Sequence, residues 1–391
     1  MKSPPIFPYP LFAMGFRAFF AFAGVSALVL ILLWNAIYKG QLNTANYFPP
    51  SYWHGHEMLL GYAVAVIAGF LLTAVKNWTG KETLVGDGLA GLCLLWLYGR
   101  ILPFYAGLLP DVLIALVDFA FLPLLAWQIS KPIIAAQHRK NWIFIAILGV
   151  LALGNGLIHA EMLGLANHGA AYGLQIVVAT IIILILVMAG RVFPFFTERA
   201  LSGTLIIRKP LLDYLVIGSA SLVFVLQLFG VTGSLMALAA SLAVLINVAR
   251  IAGWYVPRIW YVPLLWVLYN GYVWIILGFV LIALAAYAIV APSLALHAFT
   301  VGGIGVLTLG MMARVSLGHT GRVLKASNAI ALAFVLLNIT ALLRVLLPIT
   351  LPNWYPTLVY ISSLGWLLTF ALFVVVYAPM LVRARVDGQD N

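Results

Sequence analysis

The sequence predicts an all-helical protein that crosses a membrane many times. Of its 391 residues, 64% are hydrophobic and only 8% are charged, and the mean hydropathy is +1.11. Soluble domains carry roughly 25% charged residues, so this chain has too few polar groups to cover a surface that faces water. Its single cysteine, Cys93, excludes a disulfide-stabilised extracellular scaffold. We therefore expect one integral membrane domain over residues 1–391.

Twelve apolar stretches are each long enough for a bilayer-spanning helix, which needs about 20 residues. In chain order, the predicted spans are 17–39, 54–75, 84–102, 108–128, 141–160, 169–193, 211–229, 233–253, 262–290, 296–317, 327–348 and 355–381. Helix-breaking residues separate most of them: Pro49 with Pro50, Asn77 to Gly80, Pro110, Pro132, Gly203, Gly230 with Gly233, Pro257 with Pro263, Pro292, Gly318 with Gly321, and Pro348 with Pro352. Almost no chain remains for a soluble domain.

The basic residues predict the orientation of the chain. With the N-terminus in the cytoplasm, all but three of the 21 lysines and arginines fall on the inner side, the exceptions being Lys39, Arg100 and Arg344. Both termini are therefore predicted to be cytoplasmic. The net charge of +11 is explained by topology, so it does not indicate a nucleic-acid partner. The first apolar run is too long for a cleavable signal peptide.

A weak internal repeat links several spans. His56 lies 24 residues before Gly80, and His297 lies 24 residues before Gly321. Spans 2, 6 and 10 also end in similar strings, at a spacing that three four-helix units would produce. The alternative is that many spans simply end in a small residue followed by a basic one.

Five of the seven histidines fall at predicted outer ends of spans: His54, His56, His159, His168 and His297. Imidazole is the commonest metal ligand of proteins, and haem iron takes axial histidines. We interpret the five as a cofactor layer, the alternative being histidines that simply suit the headgroup zone. On a helix, His54 and His56 would point about 200° apart. They therefore serve different sites, or His54 lies outside the helix.

Charged residues accompany this predicted layer. Glu57 and Glu161 follow His56 and His159 closely. They are acceptors that orient the imidazoles, proton carriers, or ordinary carboxylates of the outer rim. Arg100 and Arg344 are outer-side cations, and a guanidinium matches a haem propionate in geometry. We expect Arg344, more than Arg100, to pair with a propionate; the alternative is an arginine that extends to the interface.

Two ionisable residues do not belong to this layer. Asp118 falls in the middle of span 4, where it is either a step of a proton path or a protonated acid bonded to a neighbouring helix. His319 lies at the inner end of span 10, where it holds an anion or caps the helix, so it is left out of the cofactor assignment.

Five strings resemble the NnrS family: GFRAFF at 15–20, WHGHEM at 53–58, GFLLTAVKNWTG at 69–80, GRVFPFFT at 190–197 and RVSLGHTGR at 314–322. The family is described as haem- and copper-containing proteins of bacterial membranes, associated with nitric oxide metabolism and nitrosative stress. The resemblance implies haem b and allows copper, with nitric oxide as the partner. The electron donor, a quinol or a cytochrome for example, is left open. It also implies a multi-pass protein of the bacterial inner membrane, in contact with lipid.

The predicted architecture is also similar, more loosely, to the core subunit of haem-copper oxidases. Carried over by position, His56 and His297 become haem ligands and His168 becomes a ligand of a second site. This sequence departs from that pattern because span 7 has no histidine, span 10 has one on the outer side, and His159 has no counterpart.

Our first hypothesis is a membrane haem protein that binds and reduces nitric oxide. His56 and His297 would be the axial haem ligands, and His54, His159 and His168 would surround a second haem or a copper ion. Two alternatives remain open at this stage. One is a twelve-span transporter or a permease for haem or metal, and the other is a sensor of nitric oxide or redox state without turnover.

Overall fold

The computed structural model describes residues 9–42 and 46–388. The chain is 81% helical, and the part described contains no β-strand. Twelve of its helices are long and apolar enough to cross a membrane. They are α1 (Gly15–Tyr38), α2 (Pro50–Thr79), α3 (Gly86–Tyr105), α4 (Asp111–Ala135), α5 (Arg139–Met162), α6 (Gly169–Ala200), α7 (Pro210–Leu228), α8 (Gly233–Ala252), α9 (Pro263–Ala285), α10 (Pro292–His319), α11 (Asn328–Thr350) and α12 (Pro352–Leu381). The all-helical class and the number of spans are thus confirmed, and the protein is a multi-pass membrane protein.

Three predicted helix ends are wrong by five residues or more. The ends predicted at 128, 193 and 290 lie at Ala135 in α4, Ala200 in α6 and Ala285 in α9. Pro132 was expected to end the fourth span, but α4 continues through both Pro123 and Pro132 to Ala135. Similarly, α6 continues through Pro194. A proline removes one backbone hydrogen bond, yet membrane helices tolerate it where neighbouring groups satisfy the freed carbonyl.

Contacts within the chain define two compact units. Unit 1 contains residues 1–177, 315–323 and 370–391, and unit 2 contains residues 178–314 and 324–369. This division does not follow the three four-helix units that the weak repeat suggested.

Glycines allow close packing inside each unit. In unit 1, a Cβ atom added to Gly15 would lie 2.4 Å from Cβ of Leu72, so α1 and α2 touch at this point. In unit 2, a Cβ atom on Gly278 would lie 2.5 Å from the ring of Phe299, and one on Gly302 would lie 2.4 Å from Trp274. Packing of small residues against neighbouring helices is the usual basis of helix association in membranes.

Helices α2 and α10 share an unusual local construction. Each begins with a Pro–Ser pair and a short α-helix that ends at a histidine, Pro50–His56 in α2 and Pro292–His297 in α10. A π-helical segment follows the histidine, Glu57–Ala63 in α2 and Ala298–Gly305 in α10. The glycines that follow the two helices, Gly80 and Gly321, have φ of +64° and +75°. The repeat is therefore real at this local level, and π segments in α-helices often mark functional sites.

Candidate metal centre

Helices α2, α3, α4 and α5 of unit 1 enclose a group of polar side chains that we call the polar cluster. Its members are His56, Glu57, Arg100, Asp118, Asn155 and His159. His56 is fully buried, and the two carboxylates are at most 4% exposed. Ionisable groups so deep within a membrane protein are costly and indicate a functional site.

Asp118 is the centre of the polar cluster. Its Oδ2 atom lies 3.1 Å from Nε2 of His56 and 2.9 Å from Nε2 of His159. Asn155 donates from Nδ2 to the same oxygen at 2.9 Å. One ligand atom each from His56, Asp118 and His159 lie within 4.8 Å of one another. Two imidazoles and a carboxylate in this arrangement form a donor set that suits a transition-metal ion.

The outer nitrogen of each imidazole also has a partner. Nδ1 of His56 lies 3.0 Å from Oε1 of Glu57, and Nδ1 of His159 lies 3.3 Å from the hydroxyl of Tyr47. Burial, followed by the charge of Asp111, raises the pKa of Tyr47, so its hydroxyl keeps its proton at neutral pH. In metal sites, such partners of the non-ligating nitrogen fix the tautomer and orient the ring. Both histidines therefore present Nε2 to the centre of the polar cluster.

The hydrogen bonds of His56 point to an added positive charge. Its Nδ1 faces a carboxylate oxygen of Glu57, while its Nε2 faces Oδ2 of Asp118 and, at 3.2 Å, Oδ1 of Asn155. All three are acceptors, yet a neutral imidazole has only one N–H. A metal ion on Nε2, or a second proton on the ring, resolves this conflict.

Arg100 holds the two carboxylates of the polar cluster. It donates from Nη1 to Oε1 of Glu57 at 3.0 Å and from Nη2 to Oδ1 of Asp118. With neutral histidines, the two carboxylates and one guanidinium leave a net charge of −1 on the cluster. Oε2 of Glu57 is buried without a hydrogen-bond partner in the described structure. The cluster is therefore built to accept one positive charge.

The other predicted residues of unit 1 lie elsewhere. The ring of His54 stacks on Trp34 at 4.3 Å, so His54 and His56 have different surroundings although both belong to α2. Glu161 accepts a hydrogen bond from the backbone N–H of Ala170 at 2.7 Å, which caps the first turn of α6. His168 is exposed and has φ of +59°, just before α6 begins.

In unit 2, His297 and Arg344 are direct neighbours. Nδ1 of His297 lies 2.7 Å from the carbonyl oxygen of Ser293, and Nη2 of Arg344 lies 3.1 Å from Nε2 of His297. Arg344 also donates to the hydroxyl of Tyr355 at 3.1 Å. It has no carboxylate partner among the described residues, and its Nη1 is buried without a hydrogen bond.

Sequence reasoning missed two residues that orient the histidines. Asn155 precedes His159 by four residues on α5, which places both on one helix face; an amide inside an otherwise apolar span was a signal that could have been used. Tyr47 lies before α2 in an irregular segment, and nothing in the sequence indicated its contact with His159.

A comparison of the sequence with models of protein families finds one match over most of the chain. The model of the NnrS protein family matches residues 10–385. The chain belongs to the NnrS family. Membership suggests a role in the response to nitric oxide. Among curated proteins, no match is found. One family string, residues 53–58, contributes His56 and Glu57 to the polar cluster of this NnrS protein.

Proposed function

We propose that this NnrS protein binds and reduces nitric oxide at a metal ion held by His56, Asp118 and His159. The observation that carries the proposal is the convergence of their three ligand atoms inside a buried cluster. The bound metal supplies a redox-active position at which nitric oxide binds and takes up electrons. Family membership supports nitric oxide as the ligand.

We propose copper as the ion of the polar cluster. A site of two imidazoles and one carboxylate suits several transition metals, so ligand type alone does not select one. The net charge of −1 is neutralised by a monovalent ion, whereas a divalent ion leaves an excess positive charge in a buried site. Cu(I) is the transition-metal ion with this charge, and copper is also what the family resemblance allows.

The polar cluster does not fit a haem at His56. Asp118 and Asn155 lie on the Nε2 side of the imidazole, and the Phe48 ring stacks on it at 4.3 Å. A porphyrin coordinated at Nε2 needs this space, so we propose His56 as an ion ligand. His297 suits haem b better, because a carbonyl holds its Nδ1 and Arg344 offers a guanidinium for a propionate.

The chain's own residues orient and shield the metal centre. Glu57 and Tyr47 hold the outer nitrogens of the two imidazoles, while Arg100 fixes both carboxylates. Burial of the cluster excludes bulk water. Two nitric oxide molecules, two electrons and two protons give one nitrous oxide and one water, and we propose a membrane quinol as the donor of both electrons and protons.

The test uses the full-length protein purified in detergent. We expect a stoichiometric ion by metal analysis, a change in the electron paramagnetic resonance spectrum on adding nitric oxide, and nitrous oxide by gas chromatography once a quinol is added. His56→Ala and His159→Ala should lose the ion, whereas the matched control His54→Ala should retain it, because His54 lies outside the polar cluster. Equal metal content in all three variants contradicts the site. Binding of nitric oxide without nitrous oxide indicates a sensor instead.

A further inference from the structure

Arg314, on α10 of unit 2, is a buried cation without an ionic partner. Its residue surface is 6% exposed, and the guanidinium carbon lies 3.9 Å from the centroid of the Phe196 ring. Among the residues that the structure describes, no hydrogen-bond acceptor and no carboxylate contacts its side chain. The guanidinium carbon lies over the aromatic ring, and the five N–H donors are spread around the group in its own plane.

A second buried arginine of unit 2 shows what a satisfied guanidinium requires. Arg250 is 2% exposed and packs on Trp254 at 4.6 Å, much as Arg314 packs on Phe196. In addition, Arg250 donates from Nε to Oδ1 of Asp213 and from Nη1 to the carbonyl of Leu186, both at 2.9 Å. Arg314 has the aromatic contact without the anion and the carbonyl. The free energy gained from a cation–π contact is much smaller than the free energy lost when a charge is removed from water.

We propose that Arg314 and Phe196 form a binding site for an oxyanion. A carboxylate, phosphate or nitrite group can accept two parallel N–H bonds from the edge of the guanidinium while the Phe196 ring covers its face. The two residues belong to strings 314–322 and 190–197, which the metal centre does not use. The inference is independent of the proposed reaction with nitric oxide.

The position of Arg314 along α10 limits the source of the ligand. It lies five residues before His319, the last residue of α10, and therefore about 7.5 Å from that helix end at 1.5 Å per residue. This depth is within reach of the phosphodiester of an anionic lipid and of a small oxyanion that enters from the adjacent aqueous side. Both sources present the same chemistry to the guanidinium, so the experiment has two arms.

The test measures the thermal stability of the full-length protein by intrinsic fluorescence. In the first arm, inorganic phosphate and then nitrite are titrated in detergent at constant ionic strength, with chloride as the reference salt. In the second arm, nanodiscs of phosphatidylcholine are compared with nanodiscs that also contain phosphatidylglycerol. The variants are Arg314→Gln, which removes the charge, and Arg314→Lys, which keeps it. Arg199→Gln is the matched control, because Arg199 is an exposed arginine on α6.

We expect the unfolding temperature of the wild type to rise by about 3 °C or more in one of the two arms. Arg314→Gln should lose that rise and be more stable than the wild type without an oxyanion, because it no longer buries an unpaired charge. Arg314→Lys should keep part of the rise, and Arg199→Gln all of it. A rise with phosphate or nitrite identifies a free oxyanion, and a rise only with phosphatidylglycerol identifies a lipid. No rise in either arm, or an equal rise in Arg314→Gln, overturns the proposal.

Discussion

Helices α2 and α10 present a histidine on the same backbone framework to very different surroundings. Each helix begins with Pro–Ser, and in each a histidine lies immediately before a π segment. His56 of α2 is fully buried and faces two carboxylates, whereas His297 of α10 is half-buried and faces Arg344. The framework thus determines where the imidazole stands, and the neighbouring charges determine what it can bind.

The charges around the two histidines are opposite in sign. The polar cluster has a net charge of −1 with neutral histidines, because Arg100 offsets only one of its two carboxylates. Next to His297, Arg344 has no carboxylate partner among the described residues. Under the proposed function, the α2 region binds a bare cation and the α10 region binds a cofactor that carries its own anionic groups.

Asp118→Asn should have the largest effect, because it removes the charge at the centre of the polar cluster. It leaves Arg100 buried with Glu57 as its single anionic partner, and a broken buried ion pair costs about 3–5 kcal/mol. We expect the low end of that range in the free energy of unfolding, together with a loss of metal affinity of at least about tenfold. Chemical denaturation and metal competition with a chelator measure the two quantities.

The controls for Asp118→Asn come from both helices. Asp87→Asn changes an exposed carboxylate near the start of α3, far from the ligand atoms of the polar cluster, and it should leave the metal in place. Arg344→Gln alters the corresponding charge beside His297, and it should leave the metal of unit 1 in place. If Arg344→Gln removes the ion of the polar cluster as fully as Asp118→Asn does, the two regions are not chemically distinct.

Gly302→Ala should have the next largest effect, on the π segment of α10. A Cβ atom at this position would lie 2.4 Å from Cγ of Trp274, so the packing of α9 and α10 must shift. Overpacking of this kind costs about 1–3 kcal/mol, measured as a lower free energy of unfolding. The matched control is Gly218→Ala on α7, where no atom lies within 4 Å. It should be neutral or stabilising, by up to about 1 kcal/mol.

The corresponding substitution in the π segment of α2 is Gly61→Ala. At Gly61 an added Cβ would lie 3.1 Å from both Nη1 of Arg100 and Oε2 of Glu57. These atoms are the ends of flexible side chains, so Gly61→Ala should disturb metal affinity more than stability. Gly302→Ala should do the reverse. Identical profiles for the two variants would show that the two π segments have the same role.

The fold was largely predictable because span length and breakers are local properties of the sequence. Twelve spans are evident from apolar runs. The errors at the ends of α4 and α6 arise because a membrane helix can tolerate a proline that would end a soluble helix. The π segment after His56 was not predictable, because residues 57–63 contain no breaker except Gly61.

The site was only partly predictable, because depth in the membrane does not determine which side chains meet. Five histidines share one predicted depth, yet only His56 and His159 converge in unit 1. The direction of each side chain depends on helix rotation, which separates His54 from His56. Asp118 was noted for its depth but left outside the histidine layer, as a step of a proton path or as a protonated acid. Its two histidine partners come from the packing of α2 and α5 on α4.

Tyr47→Phe should have the smallest effect, and it tests how the polar cluster orients His159. The hydroxyl lies 3.3 Å from Nδ1 of His159, and its loss frees the ring to change tautomer or rotate. Loss of such an outer partner lowers metal affinity by about 10–100-fold, and we expect about tenfold because the bond from the ion to Nε2 also restrains the ring. The fold should be retained, since the phenyl ring can keep its packing against Phe48. Competition with a chelator measures the affinity. After oxidation of the bound copper to Cu(II), which is paramagnetic, the electron paramagnetic resonance spectrum should change with the orientation of the imidazole. Tyr105→Phe, at an exposed tyrosine of unit 1, is the matched control and should leave both unchanged.

The same test cannot be made at His297. The partner of its Nδ1 is the backbone carbonyl of Ser293, which no side-chain substitution removes. An unchanged spectrum and affinity in Tyr47→Phe would mean that the bond to Nε2 alone orients His159, and that α2 and α10 differ only in charge.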